Sequence, residues 1–309
     1  METTETTPAA RHEVAAWFEI PSVDFDRAQR FYATLLDVTV FCPPVSPRMG
    51  IIKYRPDAGG GAIVERGVPS ADGNWGTCDP GEPRNRRLRS SILVEKDGTT
   101  VLVDAGPDLR QQLLAVGVKK LDAVIFTHVH ADHSAGIDDL RPFVIYGGTQ
   151  LPVYGYPELM EQVKVRFSYM FGGALAGYYD KPILELNALP PRLKIGALDF
   201  TLFEQDHVVC RTAGIRIGAF AYSTDVKNLS DEAFATLDGV KTWVVAAVRR
   251  QPHIAHAHLD QVLGWIERVR PAQAILTHLN FSMDYQNLLK TLPAGVEPAH
   301  DGRIIEIDG

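Results

Sequence analysis

One short stretch constrains this chain more than any other: Thr127-His128-Val129-His130-Ala131-Asp132-His133. Three histidines and an aspartate fall within six positions, directly after the apolar run LDAVIF. Imidazole and carboxylate at that density suit a borderline divalent metal, zinc first and manganese second. A strand advances about 3.3 Å per residue and alternates its faces, so His128 and His130 can point to the same side. A turn after them can swing Asp132 and His133 toward a second ion. The fold must therefore bury a strand up to this string and leave its end accessible.

Three further polar residues have the same setting. His207 follows the run in FEQDH, Asp225 the run in AYSTD, and His278 the run in AILTH. Alone, each reads as a loop or cap residue about as often as a ligand. Other strands are expected at SILVE, TTVLVDAG, LPVYG, RTAGIRIG and TWVVAAV. Helices are expected over 109–116, 157–167 and 259–269. Residues 67–90 are rich in Gly, Pro and Asn and read as a loop, with a domain boundary at its start. Many strands with interspersed helices make 67–309 a large α/β layered domain.

The ordered set of H-x-H-x-D-H followed by His207, Asp225 and His278 resembles the metallo-β-lactamase fold superfamily. The resemblance implies a four-layer αββα sandwich over residues 67–309 with a dinuclear metal site along one edge. It puts one divalent ion on His128, His130 and His207, and the other on Asp132, His133 and His278, with Asp225 bridging. Asp132 is counted among the catalytic residues as well as the ligands. Asp104 in LVDAG matches a strand-end aspartate that orients a ligand histidine, and it reads equally well as a turn former before Gly106. An aspartate at 225, where the β-lactamase branch often has cysteine, favours the phosphodiesterase-like branches.

The segment Arg249-Arg250-Gln251-Pro252-His253-Ile254-Ala255-His256 resembles the Pro-His-x-x-His signature of the phosphoribosyl cyclic phosphodiesterase subgroup. A histidine also stands at this place in the tRNA 3′-processing endonuclease Z. The resemblance makes His256 a general acid for the leaving alkoxide or a donor to the phosphate, with His253 in support. His258 reads as a residue near a helix start. The implied reaction is hydrolysis of a small, anionic, even cyclic, phosphodiester by a water that two metals activate. Arg84, Arg86, Arg87 and Arg89 form the one dense basic run of the loop. A guanidinium suits an anionic substrate at a rim, although internal salt bridges are the commoner use of such a run.

Residues 14–66 read as a β-α-β-β-β unit, after a disordered tail over 1–13. The helix runs from Asp24 or Asp26 to about Leu36, with Phe25, Ala28, Phe31, Tyr32 and Leu35 on one face. WFEIPSVDFDRAQRFYATLL and the later GGGAIV resemble one module of the vicinal-oxygen-chelate family of glyoxalases and bleomycin-resistance proteins. Trp17 stands where metal-dependent members carry a histidine, so the module is expected to associate rather than to catalyse. A homodimer follows, because one module leaves its sheet half-covered. Residues 62–64 are expected to substitute for the first strand of the sandwich, since GAIVER replaces the usual small-residue loop before Gly67-Val68-Pro69.

Charge and composition narrow the partners. Lysine plus arginine is 31 against 38 for aspartate plus glutamate, a net charge of -7. Broad nucleic-acid binding is disfavoured, because neutralising phosphates dominates such affinity. No apolar run approaches the roughly 18 residues of a membrane helix, and the acidic, polar start is unlike a signal peptide. Cys42, Cys78 and Cys210 are scattered and odd in number, which suits a reducing cytoplasm. Two other functions stay in view: tRNA 3′ processing, and a metal-bearing but non-catalytic binding or scaffold protein.

Overall fold

A computed structural model describes residues 17–20, 40–41, 50–53, 60–63, 68–172 and 182–307. The chain divides into two compact units, 1–65 and 66–309. In the first, β1 (Trp17–Ile20), β2 (Val40–Phe41), β3 (Gly50–Lys53) and β4 (Gly60–Ile63) form one sheet in the order β1-β4-β3-β2. β1 and β4 run parallel, and the other pairs are antiparallel. This corrects one expectation. Ala62 and Ile63 do not open the sandwich, because β4 is paired along both edges, to β1 and to β3. A strand has only two hydrogen-bonding edges, so none remains for another sheet. The helix expected near 24–36 and the tail over 1–13 lie outside the described residues.

The second unit is an αββα sandwich. Its five-stranded sheet has the order β5-β6-β7-β8-β9, from β5 (Ile92–Lys96), β6 (Thr99–Val103), β7 (Ala123–Ile125), β8 (Leu151–Gly155) and β9 (Leu184–Ala188). The seven-stranded sheet runs in sequence order through β10 (Arg192–Ile195), β11 (Leu198–Asp206), β12 (Arg211–Ile217), β13 (Phe220–Ser223), β14 (Thr242–Ala246), β15 (Gln273–Thr277) and β16 (Val296–Pro298).

Period-two alternation assigns each side chain to a layer. Val101, Val103, Ala123 and Ile125 pack between the sheets against Phe200, Ile215, Tyr222, Val244 and Ile275. Their sequence neighbours face outward. Leu102 and Val124 meet Leu109 and Leu113 of α1 (Leu109–Val116) and Leu159, Met160 and Val163 of α4 (Pro157–Arg166). Two short helices lie between them in the chain, α2 (Ala131–Ser134) and α3 (Arg141–Ile145). On the far side, Trp243, Val245, Ala274 and Leu276 meet α5 (Asp231–Leu237), α6 (Leu259–Val269) and α7 (Tyr285–Thr291). Burying a side chain of this size stabilises by roughly 1.5–3 kcal/mol, which is what welds the four layers.

Sequence periodicity does not single out β9, β10, β16, α5 or α7. The two helices carry their signal in their caps instead. Ser230 accepts from the Ala233 N–H at 3.2 Å, and Asp284 from the Asn287 N–H at 2.8 Å.

Strand direction is what positions the site. β6 and β7 are parallel, so Asp104 and the histidine string leave the same end of the five-stranded sheet. β13, β14 and β15 are parallel, and two antiparallel steps bring β11 into the same direction. His207, Asp225, the 249–258 loop and His278 therefore all emerge at one edge. No helix among the described residues is long and apolar enough to cross a membrane.

Candidate metal centre

The string leaves β7 and turns at once into α2, whose first turn carries Asp132 and His133. The turn is held from beneath. The Ser134 hydroxyl donates to the carbonyls of Val129 and His130 at 3.1 and 2.9 Å, and Arg166 Nη1 donates to Val129 O at 2.7 Å. Gly106 lies against the same turn, and a Cβ there would collide with the Asp132 carbonyl oxygen. The glycine of LVDAG is thus required by close approach.

Asp104 is fully buried and serves two histidines. Its Oδ2 accepts from His133 Nδ1 at 2.7 Å and from the Thr127 hydroxyl at 2.8 Å, while Oδ1 accepts from the Thr127 N–H at 2.8 Å. The Thr127 hydroxyl, committed to Asp104, then accepts from His128 Nδ1 at 3.1 Å. Both rings thus commit Nδ1 to a partner behind them, and Nε2 is the atom left to face the site and take a cation. Burial pushes the Asp104 carboxyl up, and the His133 charge and these donors pull against it. The second reading of Asp104, a simple turn former, does not account for these bonds. Thr127 is a working residue for which the sequence offers no signal beyond its place beside His128.

The seven-stranded sheet supplies the rest. His207 is oriented by its own Nδ1, 2.7 Å from the Ala255 carbonyl, which leaves Nε2 inward. Asp225 Oδ2 lies 2.8 Å from His133 Nε2 and 3.1 Å from His278 Nε2. Its Oδ1 lies 3.7 Å from His207 Nε2 and 3.4 Å from His256 Nδ1. The carboxylate thus reaches toward both groups of histidines. Asp104, Asp225 and His278 all sit at φ between 44 and 65°, in the left-handed region. Such conformations gather where surrounding structure over-determines them, as at functional sites.

Four overlapping triads have one ligand atom from each residue within 4.8 Å of the others. His128, His130 and His207 form one, and Asp132, His133 and His278 another. His128, His133 and Asp225 link them, and His207, Asp225 and His256 form the fourth. Every residue expected at the centre is brought to it.

The donor set fits two divalent cations. Burial, with the neighbouring His133 and His130 rings, holds His128 well below the ordinary imidazole range and keeps it neutral. Burial works against ionised Asp225, but His278 and His133 overcome it and hold the carboxyl well below its ordinary value. Burial likewise opposes a charge on His133, and Asp225, Asp132 and Asp104 outweigh it to push that ring well up. The buried carboxylates thus require positive charge in their midst. The buried Asp225 Oδ1 accepts no hydrogen bond among the described residues, as expected of an oxygen shaped for a cation.

The 249–258 loop carries the Pro-His-x-x-His segment into the same space. His253 Nδ1 accepts the N–H groups of Ala255 and His256 at 3.1 and 3.2 Å, so it shapes the turn that presents His256. The His256 ring is buried, with its centroid 4.6 Å from that of His207. His258 is the N-cap residue of α6.

The arginine run has internal employment. Arg84 Nε pairs with Glu82 at 2.7 Å, and Arg89 with Asp108 at 3.1 Å. Arg86 lies over Trp75. Arg87 is buried and donates to the carbonyls of Met283 at 2.7 Å and Asn280 at 3.3 Å, pinning the loop that follows His278. Each arginine of the run thus has an intramolecular partner, and Arg87 alone is buried.

Comparison with known proteins agrees with this geometry. The pattern of a beta-lactamase superfamily domain matches residues 99–279. An octanoyltransferase of Porphyromonas gingivalis is 30% identical over 253 residues, covering 80% of this chain and 51% of its own length. A ribonuclease Z of Clostridium kluyveri is 27% identical over 159 residues, 49% of this chain and 48% of that protein. The chain thus spans about half the length of the curated relatives it matches. The crystal structure of a diphosphatase from the PhnP family superposes with a TM-score of 0.69 at 32% identity, covering 77% of this chain and 91% of that one. Human tRNase Z, short form, shares the fold at a TM-score of 0.55 and 15% identity.

Proposed function

The chain belongs to the beta-lactamase superfamily and has its metallohydrolase sandwich, and from that premise we propose a dinuclear metal-dependent phosphodiesterase acting on a small phosphodiester. The observation that carries the reading is the pair of triads joined at Asp225. His128, His130 and His207 would hold one ion, and Asp132, His133 and His278 the other, with zinc ahead of manganese for this nitrogen-rich set. Two such ions would lower the pKa of a shared water toward about 7 and offset the charge developing on phosphate oxygens.

The chain's own residues supply the remainder. Asp104 fixes the tautomers of His128 and His133, so both present Nε2. Asp132 reaches toward His133 and His278, at 3.5 and 3.6 Å, and keeps negative charge at that end of the site. His256 delivers a proton to the departing alkoxide, a step worth about 10²- to 10⁴-fold. His253 holds the turn on which His256 stands.

A small substrate is favoured over precursor tRNA by the arginine run, in which each side chain already has an intramolecular partner. The net charge of -7 points the same way. A cytoplasmic setting and a homodimer built on the four-stranded sheet complete the proposal, the latter because an open sheet is commonly closed by a two-fold partner. Light scattering tests the dimer.

The test of function is metal analysis of protein purified without chelator, then a panel of cyclic phosphates, phosphodiesters, diphosphates and precursor tRNA. Two ions per chain and turnover of a small diester are expected. Two ions without turnover on any substrate would favour the non-catalytic scaffold reading, and cleavage of precursor tRNA alone the endonuclease reading. His256→Ala is expected to slow an alkoxide-leaving diester far more than a nitrophenyl one, since nitrophenolate departs without a proton.

A further inference from the structure

Four residues of the strand-end edge have left-handed backbones, and three of them have a polar task there. The fourth is Val208, at φ 69°. A β-branched residue rarely adopts this conformation, because its Cβ crowds the adjoining peptide. Packing does not repay the strain, since Val208 is 53% exposed, and Val209 beside it is 44% exposed. The turn is nevertheless firmly tied. Val208 N–H donates to Asp206 Oδ1 at 2.7 Å, and Asp206 Oδ2 is held by Asn228 at 2.8 Å. The Val209 N–H meets the His207 carbonyl at 2.8 Å, and the His207 N–H meets the Cys210 carbonyl at 3.1 Å.

Two apolar side chains are therefore displayed to solvent immediately after the buried ring of His207, in a conformation that glycine or asparagine would hold with less strain. Strain kept at a site edge without a packing return is a pointer to function. The direction can be read from the neighbours. His207, the residue from which the turn departs, touches the loop of His256 through the Ala255 carbonyl and through its ring, so the turn begins beside that loop.

We infer that Val208 and Val209 form an apolar lip that receives the organic part of the leaving group, so that the natural substrate is a phosphodiester of a bulky apolar or aromatic alcohol. The inference rests on the phosphodiesterase reading and specifies its substrate class. A planar or branched group seated on the lip would cover both valines, while a small alcohol would leave them wet.

The holoenzyme is assayed with methyl phenyl phosphate and methyl naphthyl phosphate, whose leaving groups differ in apolar area far more than in acidity. Wild type is expected to favour the naphthyl ester in KM by about tenfold, the scale of a modest change in apolar contact. Val208→Gly and Val209→Ser should each erase most of that preference. Val208→Gly should also raise the melting temperature by about 2–4 °C, as relief of backbone strain would, whereas Val209→Ser should not. A KM ratio unmoved in both variants would overturn the lip. A fall in melting temperature in Val208→Gly would overturn the strain on which it rests. If wild type hydrolyses neither ester while it turns over another substrate class, the phosphodiesterase reading itself fails, and the lip with it.

Discussion

The two sheets contribute to the centre in opposite ways. The five-stranded sheet delivers His128, His130, Asp132 and His133 from a single strand end, on a turn tied down by Asp104, Ser134, Gly106 and Arg166. The seven-stranded sheet delivers His207, Asp225 and His278 singly, from the ends of three different strands. The first contribution is local and rigid, and its members share one foundation. The second is assembled by parallel strand pairing, and its members are independent except through Asp225, which faces His133 across the sandwich at 2.8 Å. Disturbing the shared foundation should therefore damage both ions at once, and disturbing a single strand-end histidine should damage one.

Asp225→Asn strikes at the join and should have the largest effect. Loss of the charge that serves both triads is worth several kcal/mol, or about a thousandfold in turnover. Metal analysis should find both ions weakened, and retention of two tightly held ions would break the assignment of Asp225 as the join. Asp104→Asn comes next. The amide can no longer accept from both His133 and Thr127, so His128 and His133 lose their enforced tautomers. Affinity for both ions should fall by about 10- to 100-fold, measured by chelator competition, while His207→Ala and His278→Ala should each release a different single ion. If Asp104→Asn releases only the ion near His133, the Thr127 relay to His128 is not functional.

A smaller effect is expected at Arg87. Arg87→Met leaves the buried Met283 carbonyl and the half-buried Asn280 carbonyl without their donor. Such groups cost about 1–3 kcal/mol each when unsatisfied, which chemical denaturation should detect as a lowered midpoint. A stronger loss at the metal near His278 than at its neighbour would sharpen the contrast between the sheets. The smallest effect concerns pH. Hydrogen bonds from Arg84 and Gln286 hold the Glu82 carboxyl down at about 2, against an ordinary value of 4.5. A depressed carboxyl stabilises the folded state fully above its unfolded pKa and loses that contribution as pH falls. Wild type and Glu82→Gln should therefore differ in denaturation midpoint above about pH 4.5 and converge as pH approaches 2.

The apolar strands LPVYG, DFTLFEQDH, RTAGIRIG and AQAILTH are recovered close to their expected limits, because alternation and composition agree there. The edge strands β9 (LELNA), β10 (RLKI) and β16 (VEP) carry few apolar residues, and their burial depends on neighbours that the local pattern does not contain. For the site, the strand-end polar residues stand out one by one, but nothing local distinguishes Thr127 or the Ala255 carbonyl, whose roles come from atoms they meet only after folding.

What the sequence alone determined is the chemistry: a dense histidine-aspartate string after a buried strand, three further polar strand ends, and an acidic balance. These are local properties of composition and period, present in any conformation. The tertiary structure decided the partnerships. Parallel pairing of β13, β14 and β15 placed Asp225 and His278 at one edge, and stacking of the sheets through Val103, Ile125 and Tyr222 set that edge against the string. The same packing buried Arg87 against the carbonyls of Asn280 and Met283 and paired Arg89 with Asp108. Charge can be counted along a chain. Its partner is fixed only when distant segments close to within a few ångströms, where attraction first outweighs hydration.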